Sequence, residues 1–142
     1  KTVAVSVVVV LVVLSMLSQA SFADSIVRGK RDSYNELRSA GLWIKEHSNP
    51  GDVVFGSGTP QNTYYAERET LGVPSTEEEF ERKVRELKPK FLMISAFEKS
   101  PEWAYTHHEK YPSRLSPVLA YYSDVEKTQT SLVVFEIQHA AF

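Results

Sequence analysis

From Thr2 to Phe22 the chain carries no charged residue and is dominated by valine and leucine. A helix of about 20 apolar residues matches the hydrocarbon core of a bilayer. In lipid, only a helix satisfies its own backbone groups, so this run is expected to be helical in spite of its β-branched valines. Beyond it the pattern changes. Ser33 with Glu36 has the spacing of a helix-capping box, and Leu37, Gly41 and Ile44 recur at helical spacing, with Tyr34 and Trp43 beside them. Asn49-Pro50-Gly51-Asp52 supplies a turn. Val53-Val54-Phe55 is a short, wholly apolar run of the kind that forms a buried strand.

The alternation continues to the C-terminus. Pro60 opens a short helix through Ala66, and Glu69 to Val73 is a second strand. Thr76-Glu77-Glu78-Glu79 starts a helix whose buried stripe is Phe80, Val84 and Leu87, with acids in its first turn where the helix dipole favours them. Phe91 to Ile94 is a third apolar strand, Ser100-Pro101 caps a helix through Tyr111, and Arg114–Tyr122 and Ser131–Gln138 form a hairpin. The order predicts an α/β fold: a Rossmann-like three-layer αβα domain with a mostly parallel five-stranded sheet and an antiparallel edge hairpin. The expected strand order is 2-1-3-4-5, with the last strand antiparallel. Three segments follow: 1–23 apolar, 24–32 a polar connector, and 33–142 the α/β domain.

The apolar run admits two readings. One is a transmembrane helix. The other is a signal peptide with Lys1 ahead of the apolar core and Ser21-Phe22-Ala23 as a small-x-small cleavage site. Ser6, Ser15, Ser18 and Gln19 shorten the uninterrupted apolar stretch. Arg28, Lys30 and Arg31 after the run, against Lys1 before it, would place the domain in the cytoplasm by the positive-inside rule. A net charge of −2 and the lack of a basic stripe argue against a nucleic-acid partner. The absence of cysteine removes disulfides, thiolate metal sites and a cysteine nucleophile.

Candidate chemistry gathers in two loops. Gly56-Ser57-Gly58-Thr59-Pro60-Gln61 follows the first strand and precedes a helix, which is where open α/β sheets place ligands. It lacks both the P-loop Gly-Lys-Ser/Thr and the G-x-G-x-x-G spacing, and the simpler reading is a tight β–α turn that requires glycine. Ser57, Thr59 and Gln61 are its candidate binding residues. Ser95 to Glu98 follows the third strand, and Glu98 is the carboxylate that could face the first loop. Tyr64 and Tyr65, with Asn62 and Arg68, form a third group. Adjacent helical residues diverge by about 100°, so one tyrosine packs inward and the other faces solvent or headgroups. His107 and His108 are adjacent and therefore diverge as well, which does not suit a metal pair. No catalytic residue and no cofactor are assigned.

Ala40-Gly41-Leu42-Trp43-Ile44-Lys45, Pro50-Gly51-Asp52-Val53-Val54, Thr59-Pro60-Gln61 with Tyr64-Tyr65-Ala66-Glu67-Arg68, Phe91 to Ser95 and Pro101-Glu102-Trp103 together carry a resemblance. Over most of Ser33–Gln138 the chain resembles the C-terminal soluble domain of GT-C type, dolichyl-phosphate-mannose protein mannosyltransferase-like membrane glycosyltransferases. The resemblance implies a polytopic enzyme with a polyprenyl-phosphate-linked sugar donor and a glycan or protein acceptor. It also implies catalytic acids in another loop and an accessory, extracytoplasmic α/β domain anchored in the cell membrane by residues 2–22. That placement opposes the positive-inside count. The alternative expectation is a stand-alone exported or membrane-anchored Rossmann-like binding protein.

Overall fold

A computed structural model of the chain describes the backbone of residues 2–142 and the side chains of residues 6, 11–28 and 35–142. Lys1 and the side chains of Val7–Val10, Lys30, Arg31, Ser33 and Tyr34 lie outside the described residues, and with them the capping role expected of Ser33. The elements are α1 (Thr2–Glu46), β1 (Val53–Gly56), α2 (Thr59–Ala66), β2 (Glu69–Leu71), α3 (Glu77–Leu87), β3 (Phe91–Ser95), α4 (Glu102–Lys110), β4 (Leu115–Tyr122) and β5 (Thr130–Ile137). The chain divides into two units, residues 1–34 and 35–142.

The first unit is helical throughout its described length. Leu11–Arg28 is long and apolar enough to cross a membrane, and none of it is buried. Leu14, Met16, Leu17 and Phe22 are all more than half exposed. The polar connector expected at 24–32 is helical too, so no new helix begins at Ser33. The reason is cooperativity: extending a formed helix adds a hydrogen bond per residue, whereas stopping and restarting it requires a second costly nucleus. Asp24 and Arg28, one turn apart at 2.8 Å, support that continuity.

In the second unit the five strands form an open sheet in the order β2-β1-β3-β5-β4. β1 pairs in parallel with β2 and β3, and β5 runs antiparallel to both β3 and β4, so four of the five strands point the same way. The period-2 alternation of side chains sends each strand's residues to two cores. On one face, Val54, Phe91, Met93, Leu132 and Val134 pack against Leu37, Ala40 and Ile44 of α1 and Ala66 of α2. On the other, Phe55, Leu92, Ile94, Phe135 and Ile137 pack against Phe80 and Val84 of α3 and Ala104 of α4. Fully burying a side chain such as Phe80 contributes about 1.5–3 kcal/mol.

The expected strand order is corrected at one edge. β5, not β4, lies beside β3. Leu132-Val133-Val134-Phe135 serves both cores and needs neighbours on both sides. β4 is largely accessible, contains Pro117, and has irregular pairing at Pro117/Leu119 and Tyr121/Tyr122. Proline cannot donate to a ladder and belongs on an edge strand.

Helix ends follow local rules. Thr76 Oγ1 accepts the Glu79 N–H at 3.2 Å, and Glu79 Oε2 accepts the Ser75 N–H at 3.2 Å, so the capping pair is reciprocal with a one-residue offset. At Gly41, α1 and α2 approach closely: a Cβ built there would lie 2.6 Å from Tyr65 Cβ.

Candidate functional site

Because β1 and β3 are parallel neighbours, the loops at their carboxyl ends emerge side by side. Between them lies a cleft of about 490 Å³ lined by Ser57, Gly58, Thr59, Gln61, Glu98 and Ser100, among others. Ser57, at the end of β1, is buried, and its Oγ lies 2.9 Å from Ser100 Oγ across the cleft floor. The Ser57 N–H also reaches Met93 O at 3.3 Å, which ties the loop to β3.

Gly58 turns the chain into α2. Its φ of 64° lies in the left-handed region, and a Cβ there would sit 3.3 Å from both Glu98 Oε1 and Leu37 Cδ2. Glycine therefore meets a conformational and a spatial requirement together. The Gly58 N–H donates a short hydrogen bond to Glu98 Oε2. The carboxylate thus sits where the N-terminal end of α2 favours negative charge. Thr59 Oγ1 donates to Gly56 O at 3.4 Å, and Gln61 remains half-buried in the wall.

The expected facing of Glu98 and the first loop is present in atomic detail. The structure brings Ser57, Thr59, Gln61 and Glu98 together. Tyr64 and Tyr65 do not line the cleft. Tyr64 is 76% exposed, and Tyr65 is half-buried against Gly41, which matches the inward–outward split of adjacent helical residues. Arg68 and Asn62 leave the tyrosine group as well. Arg68 is buried at the C-terminal end of α1, and Asn62 Nδ2 donates to Thr70 Oγ1 at 3.1 Å.

Ser100 is the residue that sequence reasoning assigned elsewhere, as a helix cap. Its hydroxyl meets Ser57 instead, its N–H donates to the Tyr105 hydroxyl at 3.1 Å, and the residue before α4 is Pro101, with no side-chain cap. The available signal was positional: Ser57 and Ser100 are both small hydroxyl residues in the loops after neighbouring parallel strands.

Chemically, the cleft presents hydroxyl, amide and carboxylate groups. Among the described residues, no basic side chain hydrogen-bonds Ser57 Oγ or Ser100 Oγ, so the pair lacks the base that would activate a serine. No group of three His, Cys, Asp or Glu residues is placed to hold a metal among the described residues. His107 is fully buried, with Nδ1 2.9 Å from Glu77 Oε1. Burial pushes its pKa below the usual histidine value, an effect the Glu77 carboxylate only partly opposes. Lys110, bonded to the same carboxylate at 2.9 Å, holds the Glu77 pKa below the ordinary range with help from His107. That cluster sits on α3 and α4, among Phe80, Trp103, Tyr111 and Phe142.

The chain matches no protein-family model, and no curated protein matches it.

Proposed function

We propose that the chain is a membrane-anchored, extracytoplasmic α/β domain of a glycosyltransferase that draws on a lipid-linked sugar, and that its cleft receives a sugar group of donor or acceptor without carrying out the transfer. The observation that carries this reading is the chemistry of the cleft. Ser57, Thr59, Gln61, Glu98 and Ser100 offer the neutral donors and acceptors, plus one carboxylate, that pair with the hydroxyls of a sugar. Glu98 already occupies the Gly58 N–H, which disfavours a phosphate at that point and favours an uncharged polyol.

Two further features support the reading. The parallel β2-β1-β3 set, with helical crossovers on both faces, is Rossmann-like, and the cleft lies between β1 and β3, where such sheets change winding direction and hold their ligands. The apolar part of α1 exposes large side chains along its described length, from Leu11 to Val27, which suits surrounding lipid far better than water. A serine pair without a base fits an accessory role.

Titration of the full chain in lipid nanodiscs with methyl α-mannoside, read by amide NMR, tests the cleft. Saturable shifts at Ser57, Gln61 and Ser100 are expected, abolished in Gln61→Ala and absent with inorganic phosphate. Shifts with phosphate alone, or none with the glycoside, would overturn the reading. Side is tested independently. The chain has no cysteine and Val125 is fully exposed, so Val125→Cys should react with a membrane-impermeant maleimide on intact cells. Reaction only after lysis would reverse the topology.

A further inference from the structure

The hydroxyl pair on the floor of the polar cleft has more hydrogen-bonding capacity than the protein uses. Ser57 and Ser100 hold two O–H protons, and the single Oγ–Oγ bond of 2.9 Å takes one of them. No acceptor among the described residues takes the other. Both serines line the cleft, and each keeps a little exposed surface, 8% and 6%. Their backbone N–H groups are bonded to Met93 O and to the Tyr105 hydroxyl, which fixes the pair in place. Glu98 is complementary to them. Its Oε2 takes the Gly58 N–H, while Oε1 has no hydrogen-bond partner among the described residues, and the residue is half-buried in the wall. Since Gly58 directly follows Ser57, an unpaired acceptor stands beside an unpaired donor.

A group that carries both an acceptor and a donor, on separate atoms, is a secondary amide. Val73 and Pro101 add apolar surface to the same lining. Glu98 and Lys99 are its charged residues and offset one another, and Lys99 is exposed, so the cleft calls for no ionic ligand. Its volume of about 490 Å³ lies within the range of small-molecule sites. We propose that the sugar preferred by the cleft carries an N-acetyl group. The ligand is a 2-acetamido hexose whose carbonyl accepts the spare serine proton, whose N–H donates to Glu98 Oε1 and whose methyl lies on Val73 and Pro101. This rests on the sugar-binding reading above and names the class of sugar. A plain hydroxyl at the same carbon has to serve both groups from one oxygen and leaves the apolar part of the wall bare.

The test is an amide NMR titration of the full chain in lipid nanodiscs. The probes are methyl α-mannoside and its 2-acetamido counterpart, which differ only at the second carbon, and N-acetylglycine methylamide, an amide without a sugar. Saturable shifts at Ser57, Glu98 and Ser100 are expected with both glycosides, with the acetamido glycoside about tenfold tighter, the ratio one net hydrogen bond provides. N-acetylglycine methylamide should not saturate. Replacing both serines by alanine removes the spare proton without stranding a partner, so Ser57→Ala/Ser100→Ala should abolish the tenfold preference. Thermal unfolding checks that the double variant is folded, and the comparison of glycosides in the parent chain stands without it. Equal or weaker binding of the acetamido glycoside overturns the proposal and leaves the sugar-binding reading in place, whereas no shifts with either glycoside overturns both. Saturation by N-acetylglycine methylamide would assign the cleft to a peptide, and a preference that survives the double substitution would take the serines out of it; either result overturns the proposal.

Discussion

Arg68 holds the end of a helix and pairs with no carboxylate among the described residues, so replacing it with methionine isolates that role. The residue is buried, with 8% of its surface exposed. Nη2 donates to Lys45 O at 3.1 Å and Ser48 O at 2.7 Å, Nε to Ser48 Oγ at 2.9 Å, and Nη1 to Glu67 O at 2.9 Å. Lys45 O belongs to the last turn of α1, and such carbonyls have no partner within the helix. The cation also lies at the negative end of the helix dipole. Methionine keeps most of the stem volume and loses every donor. Stranding partly buried carbonyls such as these costs at most about 1–3 kcal/mol each. Water reaching the site recovers part of that, which leaves a net loss of about 3 kcal/mol for Arg68→Met. Arg68→Lys, with one compact donor group, should lose about half as much. For a domain near 100 residues, 3 kcal/mol corresponds to a fall of about 12 °C in Tm. Urea and thermal unfolding of the full chain, followed by Trp43 and Trp103 fluorescence, measures both variants. If Arg68→Met stays within about 0.5 kcal/mol of the parent, the range of ordinary surface substitutions, the capping account is wrong.

Three other substitutions test the packing and the buried histidine. Gly41→Ala gains about 1 kcal/mol of helix propensity but places a methyl 2.6 Å from Tyr65 Cβ. Since overpacking costs about 1–3 kcal/mol, a net loss of about 1 kcal/mol is expected, while Gly72→Ala, with open space around it, should be neutral. Unfolding midpoints that rank the two alike would contradict the close-approach argument. His107 has a folded pKa below its unfolded value of about 6.5, so the unfolded chain binds the proton more readily. Its stabilising contribution is therefore present above pH 6.5 and is lost as pH falls from there through the folded pKa. Glu77, also lowered, adds a second loss below its ordinary value of 4.5. Urea midpoints should decline on acidification below pH 6.5 in the parent, and His107→Gln should flatten the upper part of that decline. An identical pH profile in both would refute the assignment.

The parts of the fold that could be read from sequence are those set by neighbours in the chain. The Thr76–Glu79 spacing specified α3, and the unbroken apolar runs at Val53 and Phe91 specified central strands, because capping and burial leave local signatures. The placement of β5 beside β3 is non-local, although its trace was present in Leu132 to Phe135, apolar on both faces, against Pro117 in β4. Likewise, parallel strand direction was enough to bring Glu98 to the loop after β1. The role of Arg68 was not legible, since its acceptors belong to a helix end twenty residues away that only the packing brings near. Ser100 carried two local roles equally well, and the choice fell to a hydroxyl 43 positions earlier.

The borders of the sheet have a consequence for how copies of this chain meet. β2 offers only three residues, and β4 is interrupted by a proline and two irregular steps. Neither presents a straight ribbon of free amides onto which another chain could add a strand. Crowded together, these molecules have poor templates for cross-chain sheet growth, and a contact between them would have to be made through side chains.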